Sequence, residues 1–404
     1  MNTDKFYSEL GASFEPGVLT TVVLAAEELK RQGKKIIGLT GGMYDEDSFP
    51  WKEVKEVFKN ATEDDWRIML QYGSTSGLQD LREELSNFMK GHGIEADPYK
   101  EIIVTTGSQE ALDLVTRVFL DEGDVIIVGS PTYLSALSAF KTAKPDIREA
   151  ELDEYGMKPD ALRQVLEEVE SEGKQVKLLY IIPSFQNPTS SLMPPKRREE
   201  IISLAKEHDF LILEDNPYGY ISFEGPMPKP IKAYDDEGRV MYTSTFSKIV
   251  SPGMRIGWLV AHPEFISKMV EAKSSTSISN TLISQFAAAK LFKNGVVEKQ
   301  ISKMIKVYRK KRDVMLETMD ASFPKEAEWN EPEGGLFLWV TLPKHINTSE
   351  ILMECIQRGV AYIPGNNFYT TNTVNHMRLN YSHPSIEDIV EGTQILGGLL
   401  KEKI

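Results

Sequence analysis

Short apolar runs alternate with amphipathic stretches through the middle of the chain. The runs are rich in β-branched residues and cover residues 102–105, 125–128, 178–182, 210–214, 240–243 and 256–260. Between two of them, apolar residues recur at helical spacing over 201–208, and Pro194-Pro195 predict where that helix begins. This alternation is typical of a mainly parallel sheet covered by helices, so we predict a large α/β domain.

The pattern changes after about residue 281. A long charged stretch over 296–319 predicts a helix, and Gly334-Gly335 precede an apolar run that ends at Val340. Residues 376–380 are predicted as the last strand and residues 386–400 as a closing helix, which indicates a smaller α+β domain. The predicted organisation is an amino-terminal segment of residues 1–45 that packs with the small domain, a large domain of residues 46–285 and a small domain of residues 286–404.

The length and the charge of the chain narrow the classes of function. A chain of 404 residues exceeds the size at which one hydrophobic core stops growing, which agrees with two domains. The 46 Lys and Arg against 60 Asp and Glu give a formal net charge of −14, and the resulting field repels polyphosphate backbones. Nucleic acid is therefore not an expected partner.

Residue usage favours a cytoplasmic enzyme. The single cysteine, Cys355, cannot form a disulfide within the chain and is predicted to be a small core residue. The amino terminus lacks the apolar stretch of a secretory signal, and the apolar residues 18–26 are too few to span a bilayer. The six histidines show no metal-ligand spacing. We expect neither a membrane segment nor a metal site.

Three segments supply the groups that a cofactor with a phosphate and a pyridine ring requires: an anion site, an acid for the ring nitrogen and an amine for an aldehyde. The first is Thr105-Thr106-Gly107-Ser108-Gln109, where a predicted strand passes through a glycine into a predicted helix. Free backbone N–H groups at a helix start point outward, so Ser108 and Gln109 are candidate phosphate ligands. Taken alone, Ser108 also has a structural explanation as an ordinary N-cap.

The acid is Asp215, which follows the apolar run 210–214. Open α/β sheets place ligands at the carboxyl ends of their strands. A carboxylate there keeps a pyridine nitrogen protonated through a charge-assisted hydrogen bond, which makes the ring an electron sink. The alternative is that Asp215, which precedes Asn216-Pro217, forms a turn.

The amine is Lys248, which follows a predicted strand within Thr243-Ser244-Thr245-Phe246-Ser247-Lys248. Most lysines are solvated surface residues, but this one lies among small hydroxyl residues and precedes Arg255 by 7 positions. Hydroxyl groups and a guanidinium suit a phosphate.

These segments, taken together, resemble the class I/II aminotransferases of fold type I, which depend on pyridoxal 5′-phosphate. The resemblance runs from about residue 36 to the carboxyl terminus, and its closest branch contains the 2-aminoadipate, kynurenine and broad-specificity aromatic aminotransferases. It is carried by Thr-Thr-Gly-Ser-Gln-Glu-Ala-Leu, Ile-Pro-Ser-Phe-Gln-Asn-Pro-Thr, Glu-Asp-Asn-Pro-Tyr and Phe-Ser-Lys. Asn187, Asp215, Lys248 and Arg255 are separated by 28, 33 and 7 positions.

The resemblance implies roles at the cofactor ring. Lys248 would bind the aldehyde as a Schiff base, and Asp215 would partner the ring nitrogen. Asn187 and Tyr218 would hydrogen-bond the phenolic oxygen, while Tyr133 would stack on the ring.

The resemblance also implies a phosphate cup and a second subunit. The implied phosphate ligands are Ser108, Gln109, Thr245, Ser247 and Arg255. Tyr72, in Gln71-Tyr72-Gly73, matches a residue that reaches the phosphate from the neighbouring subunit, which implies a homodimer with shared active sites.

Arg378 matches the arginine that clamps the α-carboxylate of the substrate. A bidentate clamp of this kind fixes which bond at Cα stands perpendicular to the ring. Asn187 and Gly42 would lie beside the same carboxylate. The implied reaction moves the amino group of an L-amino acid to a 2-oxo acid such as 2-oxoglutarate. In this reaction Lys248 is the proton carrier at Cα.

The substrate and the reaction type leave alternatives open. The segment from Gly17 to Lys30 is apolar and acidic, and its first following arginine is Arg31, which favours aromatic or large apolar donors over 2-aminoadipate. The alternative is that this segment only packs on the small domain. Lyases and decarboxylases use the same cofactor apparatus, and some regulators fuse this fold to a DNA-binding module. We do not expect that module here, because the resemblance begins by about residue 36 and the chain is acidic.

Two positions depart from the family pattern. Ser190 follows Asn187-Pro188-Thr189 where relatives have glycine, so we expect an altered loop that keeps the Asn187 contact. Met43-Tyr44 follow Gly41-Gly42 where relatives often have Leu-Pro, which affects the fit of the substrate.

Overall fold

A computed structural model of this chain shows a fold built on one large sheet and one small sheet. The structure describes residues 1, 3–14, 16–371 and 373–404. The α-helices in these ranges are α1 (Glu9–Ser13), α2 (Val18–Arg31), α3 (Trp51–Lys59), α4 (Glu63–Leu70), α5 (Gln79–Lys90), α6 (Ser108–Phe119), α7 (Leu134–Phe140), α8 (Pro159–Ser171), α9 (Pro195–Glu207), α10 (Pro263–Ser274), α11 (Leu282–Lys293), α12 (Val296–Ser322), α13 (Leu352–Gln357) and α14 (Ile386–Lys403).

The strands and the short 3-10 helices complete the elements. The strands are β1 (Ile37–Gly38), β2 (Ile102–Thr105), β3 (Val125–Ser130), β4 (Asp146–Asp153), β5 (Gly156–Met157), β6 (Val176–Ile181), β7 (Leu211–Asp215), β8 (Val240–Thr245), β9 (Gly257–Val260), β10 (Glu328–Trp329), β11 (Phe337–Thr341), β12 (Val360–Ala361), β13 (Ile363–Pro364) and β14 (His376–Asn380). The 3-10 helices are Asp4–Phe6, Glu46–Ser48, Lys141–Ala143, Ile231–Tyr234, Phe246–Lys248, Pro252–Met254 and Gly365–Phe368.

The large sheet has the strand order β2-β9-β8-β7-β6-β3-β4-β5. Strands β8, β7, β6, β3 and β4 run parallel, whereas β9 is antiparallel to both of its neighbours and β5 is antiparallel to β4. Neighbouring residues of β3 show why its sequence is apolar throughout: Ile126 packs in the layer with α6, and Ile127 packs in the layer with α8 and α9. A sheet covered on both faces needs apolar side chains at every position.

The small sheet has the order β10-β11-β14-β13 and is antiparallel throughout. Helices α12 and α14 pack beside it around a core that includes Met315, Leu338, Leu379 and Leu396. Cys355 is fully buried in the same core, as predicted. The pair β1 and β12 joins residues near the amino terminus to this part of the molecule.

The predicted α/β architecture is confirmed. All six apolar runs form strands of the large sheet, the helix after Pro194 begins at Pro195, and the last strand is His376–Asn380 as predicted. The sequence analysis missed β4, because its sequence Asp-Ile-Arg-Glu-Ala-Glu-Leu-Asp is charged and most of its residues are only partly buried. It also gave no sign that β9 would run against its neighbours.

Helix α2 packs on the small-sheet side of the molecule. Val22 is buried in a cluster with Trp339, Ile363 and Phe368, and Ala25, Ala26 and Leu29 pack against the same cluster. Of the residues singled out in this helix, the side chains of Val18, Leu19 and Lys30 lie outside the described part of the structure. These contacts favour the interpretation of α2 as a packing helix. Among the described helices, none has the length and apolar composition needed to cross a bilayer.

Candidate active site

The candidate site is a cavity of about 190 Å³ where loops at the carboxyl ends of β3, β6, β7 and β8 meet β14. Its predicted lining residues are Gly42, Ser108, Gln109, Tyr133, Asn187, Asp215, Tyr218, Thr245, Ser247, Lys248, Arg255 and Arg378. The structure therefore brings together every candidate residue named from the sequence except Tyr72. Strand ends meet here because parallel strands direct all their carboxyl ends to one edge of the sheet.

Lys248 lies in the short helix Phe246–Lys248 that follows β8. The Thr245 hydroxyl accepts a hydrogen bond from the Ser247 N–H and starts this helix. The Lys248 amine donates to the Gly42 carbonyl at 2.7 Å. Burial, with the positive charges of Arg378 and Arg255, lowers the pKa of Lys248 to about 8. The amine therefore loses its proton much more readily than an ordinary lysine does.

Asp215 ends β7 and is 1% exposed. The Tyr180 hydroxyl donates to its Oδ2 at 2.8 Å. Its other oxygen, Oδ1, is buried and has no hydrogen-bond partner among the described residues. Burial raises the pKa of this carboxyl to about 7. A buried acceptor without a partner is costly, so this oxygen fits a protonated ring nitrogen.

Arg378, in β14, is 3% exposed and is held from two sides. Its Nη1 donates to Asn187 Oδ1 at 2.8 Å and its Nη2 donates to the Thr40 carbonyl at 2.8 Å. Its Nε is buried without a partner among the described residues. Burial lowers the pKa of the guanidinium to about 10, so it remains charged at neutral pH. A fixed, charged group with unused donors is suited to bind a carboxylate.

Aromatic groups surround these polar residues. The Arg378 guanidinium carbon lies 4.1 Å from the centre of the Phe337 ring, and the Tyr218 and Phe337 rings meet edge to face at 5.8 Å. Asn187 Nδ2 donates to the Tyr218 hydroxyl at 3.4 Å, and burial raises the pKa of Tyr218 far above its usual value. Tyr133 precedes α7, lines the cavity and has its pKa raised by burial.

The predicted phosphate turn requires two glycines. Gly107 has a φ of +72°, and a Cβ on it would lie 2.6 Å from Arg255 Nη2. A Cβ on Gly257 would lie 2.5 Å from the Gly107 carbonyl carbon, so Gly257 has no space for a side chain, whereas the positive φ of Gly107 is what favours glycine there. Helix α6 begins at Ser108 with no side-chain cap, which leaves its first N–H groups available to an anion.

Arg255 closes this turn from the other side. Its Nη2 donates to the Thr106 carbonyl at 3.0 Å and its Nη1 to the Ser247 hydroxyl at 3.4 Å. The helix start, the guanidinium and the hydroxyls of Thr245 and Ser247 together present the donors and the positive charge that suit an anion.

Tyr72 is placed apart from the other candidate residues. Its side chain is 82% exposed, and it does not line the cavity. Leu70 beside it is 73% exposed. Both side chains therefore lie on the surface of this chain, outside the cavity.

Two contributors to the site were missed by the sequence analysis. Tyr180 lies within an apolar strand and Phe337 within an apolar run, so each has the pattern of an ordinary core residue. Ser190 stands where relatives have glycine, and its φ of +53° lies in the left-handed region that glycine favours. The Ser190 hydroxyl donates to the Phe337 carbonyl at 2.8 Å, which ties the loop to the small sheet. Asn187 still lines the cavity, as expected.

Comparison with known proteins gives consistent matches across the whole chain. Residues 34–394 match the family described as aminotransferase class I and II. An aromatic-amino-acid aminotransferase of Thermococcus litoralis is 40% identical over 100% of this chain and 96% of its own length. A 2-aminoadipate transaminase of Thermus thermophilus is 34% identical over 91% of this chain and 90% of its own length.

The solved structures agree with these sequence matches. The kynurenine aminotransferase of Pyrococcus horikoshii, solved in complex with PMP, superposes with a TM-score of 0.95. It is 39% identical, and the match covers 100% of this chain and 98% of the other.

Proposed function

Because this chain belongs to the class I and II aminotransferases and is a pyridoxal-phosphate-dependent transaminase, we propose that it takes the amino group of an aromatic, large apolar or 2-aminoadipate-like L-amino acid. The acceptor proposed is a 2-oxo acid, 2-oxoglutarate in the first instance. The observation that carries the proposal is one cavity that holds an amine of lowered pKa, a carboxylate oxygen without a partner and a clamped arginine.

The residues of the cavity divide between the two ends of the cofactor. Asp215 Oδ1 would accept from the ring nitrogen, Asn187 and Tyr218 would bind the phenolic oxygen, and Tyr133 would cover one face. The phosphate would lie at the turn before α6, against Ser108, Gln109, Thr245, Ser247 and Arg255. When bound, pyridoxal phosphate supplies an aldehyde that links to amines and a ring that withdraws electrons from the bonds at the attached carbon.

Lys248 would hold the cofactor between turnovers and carry the proton during them. An amine with a pKa of about 8 is neutral in about one molecule in ten at pH 7, whereas an ordinary lysine is neutral in far fewer. The neutral Nζ would accept the proton from Cα of the amino acid. It would then deliver this proton to the aldehyde carbon of the cofactor, on the other side of the transferred nitrogen. The Gly42 carbonyl, at 2.7 Å, holds the amine at the substrate side of the cavity.

Arg378 would fix the substrate through its α-carboxylate. Two of its donors are already used by Asn187 and the Thr40 carbonyl, so the guanidinium cannot rotate freely. Its remaining donors, including the unpartnered Nε, would bind the carboxylate beside Gly42. A carboxylate held this way orients the Cα–H bond towards Lys248, which is the bond that a transaminase breaks.

The cavity walls favour an aromatic or large apolar side chain on the donor. Leu134, Ile182 and Phe337 line it, and the cations among its described lining residues are Lys248, Arg255 and Arg378, each with a role already assigned. A substrate with a distal carboxylate would need a further cation. Helix α2 supplies no residue to this lining, so the earlier argument from its apolar sequence does not support the preference.

The active form is proposed to be a homodimer. Leu70, Tyr72, Ile278 and Ile283 are exposed, and the backbone at Gly73 approaches Leu282 so closely that a Cβ would lie 2.5 Å from it. A second copy placed on this surface would cover these apolar groups and bring Tyr72 towards the phosphate end of the other cavity.

A donor screen tests the proposed substrates. Purified holoenzyme is mixed with phenylalanine, tyrosine, kynurenine, leucine or 2-aminoadipate, first without and then with 2-oxoglutarate, and the 2-oxo product and glutamate are both quantified. We expect the aromatic donors to have the highest kcat/KM and each 2-oxo product to match the glutamate formed. Release of CO2 or of a fragment of the side chain in place of glutamate would assign the chain to the decarboxylases or lyases.

A further inference from the structure

Lys273 is a buried lysine that lies behind the phosphate turn, outside the cavity. It belongs to the last turn of α10 and is fully buried. Its Nζ donates to the Thr75 carbonyl at 3.0 Å, to the Val104 carbonyl and to the Asn280 side-chain oxygen. These three oxygens use all three donors of an ammonium group.

Asn280 extends this contact to the turn itself. Its Nδ2 donates to the Thr106 hydroxyl and, at 2.9 Å, to Glu110 Oε2. The same Glu110 oxygen accepts from the Thr106 N–H. Burial acts to raise the pKa of Glu110, but these hydrogen bonds and the charge of Lys273 hold that pKa below its usual value. Thr106 and Glu110 flank Gly107 and Ser108, so the contacts fix both ends of the turn.

The same lysine fixes a second segment. Besides its contact with Thr75, this segment is held by the Val104 N–H, which donates to the Ser76 carbonyl at 2.9 Å, and by Gln285, which accepts from the Leu78 N–H at 2.6 Å. Gly77 has a φ of +104°, and a Cβ there would lie 2.4 Å from Val104. The segment that carries Tyr72 is therefore attached to the strand that leads into the phosphate turn.

The need to fill space does not by itself explain a lysine at this buried position, because burial of its charge costs free energy. Burial lowers the pKa of Lys273 to about 8, which shows that its environment penalises the charge. None of its three hydrogen-bond partners is a carboxylate, and the nearest acid in the network, Glu110, is reached through Asn280. A methionine of similar length would fill the space without that penalty.

We propose that Lys273 is a positioning residue for the cofactor phosphate, holding the turn Thr106–Ser108 and the segment Thr75–Gly77 in one rigid arrangement. The proposal deepens the assignment of the phosphate to this turn and rests on it. Lys273 does not touch the cavity, so it acts on phosphate only through the backbone that it anchors. The proposal predicts that removal of the Lys273 charge weakens binding of the phosphate and leaves binding of the ring unchanged.

The test compares pyridoxal phosphate with pyridoxal, which lacks the phosphate but presents the same ring and aldehyde. Both are titrated into cofactor-free enzyme, and dissociation constants are measured by fluorescence quenching. For Lys273→Met we expect pyridoxal phosphate to bind about tenfold more weakly, with pyridoxal binding changed by less than about twofold. Equal weakening of both, or no weakening of either, would overturn the proposal.

Three further variants complete the test. Lys311→Met removes another buried lysine, which donates to Asp45 and to the Ser382 carbonyl, neither of which belongs to the turn. For this variant we expect the affinity for pyridoxal phosphate relative to that for pyridoxal to stay at the wild-type value. If Lys273→Met does not fold, Asn280→Ala takes its place. It breaks the link to Thr106 and must lower the affinity for pyridoxal phosphate relative to that for pyridoxal. Ser108→Ala alters the turn directly: an unchanged ratio of the two affinities for this variant would refute the phosphate assignment, whereas a changed ratio beside an unaffected Lys273→Met would refute Lys273 alone.

Discussion

The ring end and the phosphate end of the cavity differ in how deeply this chain buries their polar side chains. At the ring end Asp215 is 1% exposed, Arg378 is 3% exposed, and each is held by hydrogen bonds from its own chain. At the phosphate end Gln109 and Arg255 are exposed, and Tyr72 is exposed outside the cavity lining. Charged contacts strengthen when they are shielded from water. The ring end is therefore formed by buried groups of this chain, whereas the phosphate end is more open to water.

The strongest test of the ring end is Lys248→Ala. This variant removes both the covalent attachment and the proton carrier, so we expect kcat to fall at least about 1,000-fold. Turnover is measured with saturating cofactor and donor, and covalent cofactor is measured by mass spectrometry after borohydride reduction. Lys196→Ala in the first turn of α9, where the side chain is 89% exposed, serves as the control and should keep full activity. A Lys248→Ala enzyme with wild-type turnover would refute the assignment.

The second test changes the acid without changing its shape. Asp215→Asn leaves a group that cannot hold a proton on the ring nitrogen, and we expect kcat to fall about 100-fold. Tyr180→Phe removes one hydrogen bond to the same carboxylate and should cost less than about tenfold. If both variants retained the wild-type kcat, the proposed contact of Asp215 with the ring nitrogen would be refuted.

Asp215 also makes the stability of the cofactor-free chain depend on pH. Its pKa of about 7 in the folded chain lies above the unfolded value, so its contribution to stability is fully present below the unfolded pKa and is lost as the pH rises through about 7. Between pH 5 and 8 we expect the wild type to lose about 2–3 kcal/mol relative to Asp215→Asn. Urea unfolding of both proteins without cofactor measures the difference, and parallel pH profiles would contradict it.

The smallest effect is expected at the phosphate end. Tyr72→Phe should weaken cofactor binding about tenfold and leave kcat at saturating cofactor nearly unchanged. Mixed dimers sharpen this test: a Tyr72→Phe subunit paired with a Lys248→Ala subunit contains one site with Lys248 from the first chain and Tyr72 from the second. That site should bind with wild-type affinity. If it binds as weakly as the Tyr72→Phe homodimer, Tyr72 acts within its own chain.

Much of the site was predictable because its residues follow recognisable local patterns. Asp215 and Lys248 each come just after an apolar run, and the carboxyl ends of parallel strands share one edge of a sheet. Gly107 marks the strand-to-helix turn before Ser108, and its need for glycine is a local backbone property. Such residues can be recognised in the sequence because their position at a strand end or a turn also determines which residue types surround them.

Other residues gave no such signal. The charged strand β4 is paired because of its place next to β3, and β9 runs antiparallel although its sequence resembles that of the parallel strands. Lys273 has the sequence context of an ordinary surface lysine on a helix, yet it bonds to a carbonyl 169 positions away. The role of Tyr180 depends on which strand is its neighbour in the sheet.

The sequence alone identified six strands of the large sheet, the glycine of the strand-to-helix turn and most side chains that line the cavity, because periodicity and local backbone preference act over a few residues. The folded chain was needed to show which strands became neighbours, which buried polar groups found partners and which end of the cavity stayed open. Those outcomes depend on contacts between distant segments, and the free energy of such contacts exists only once the chain has brought them together.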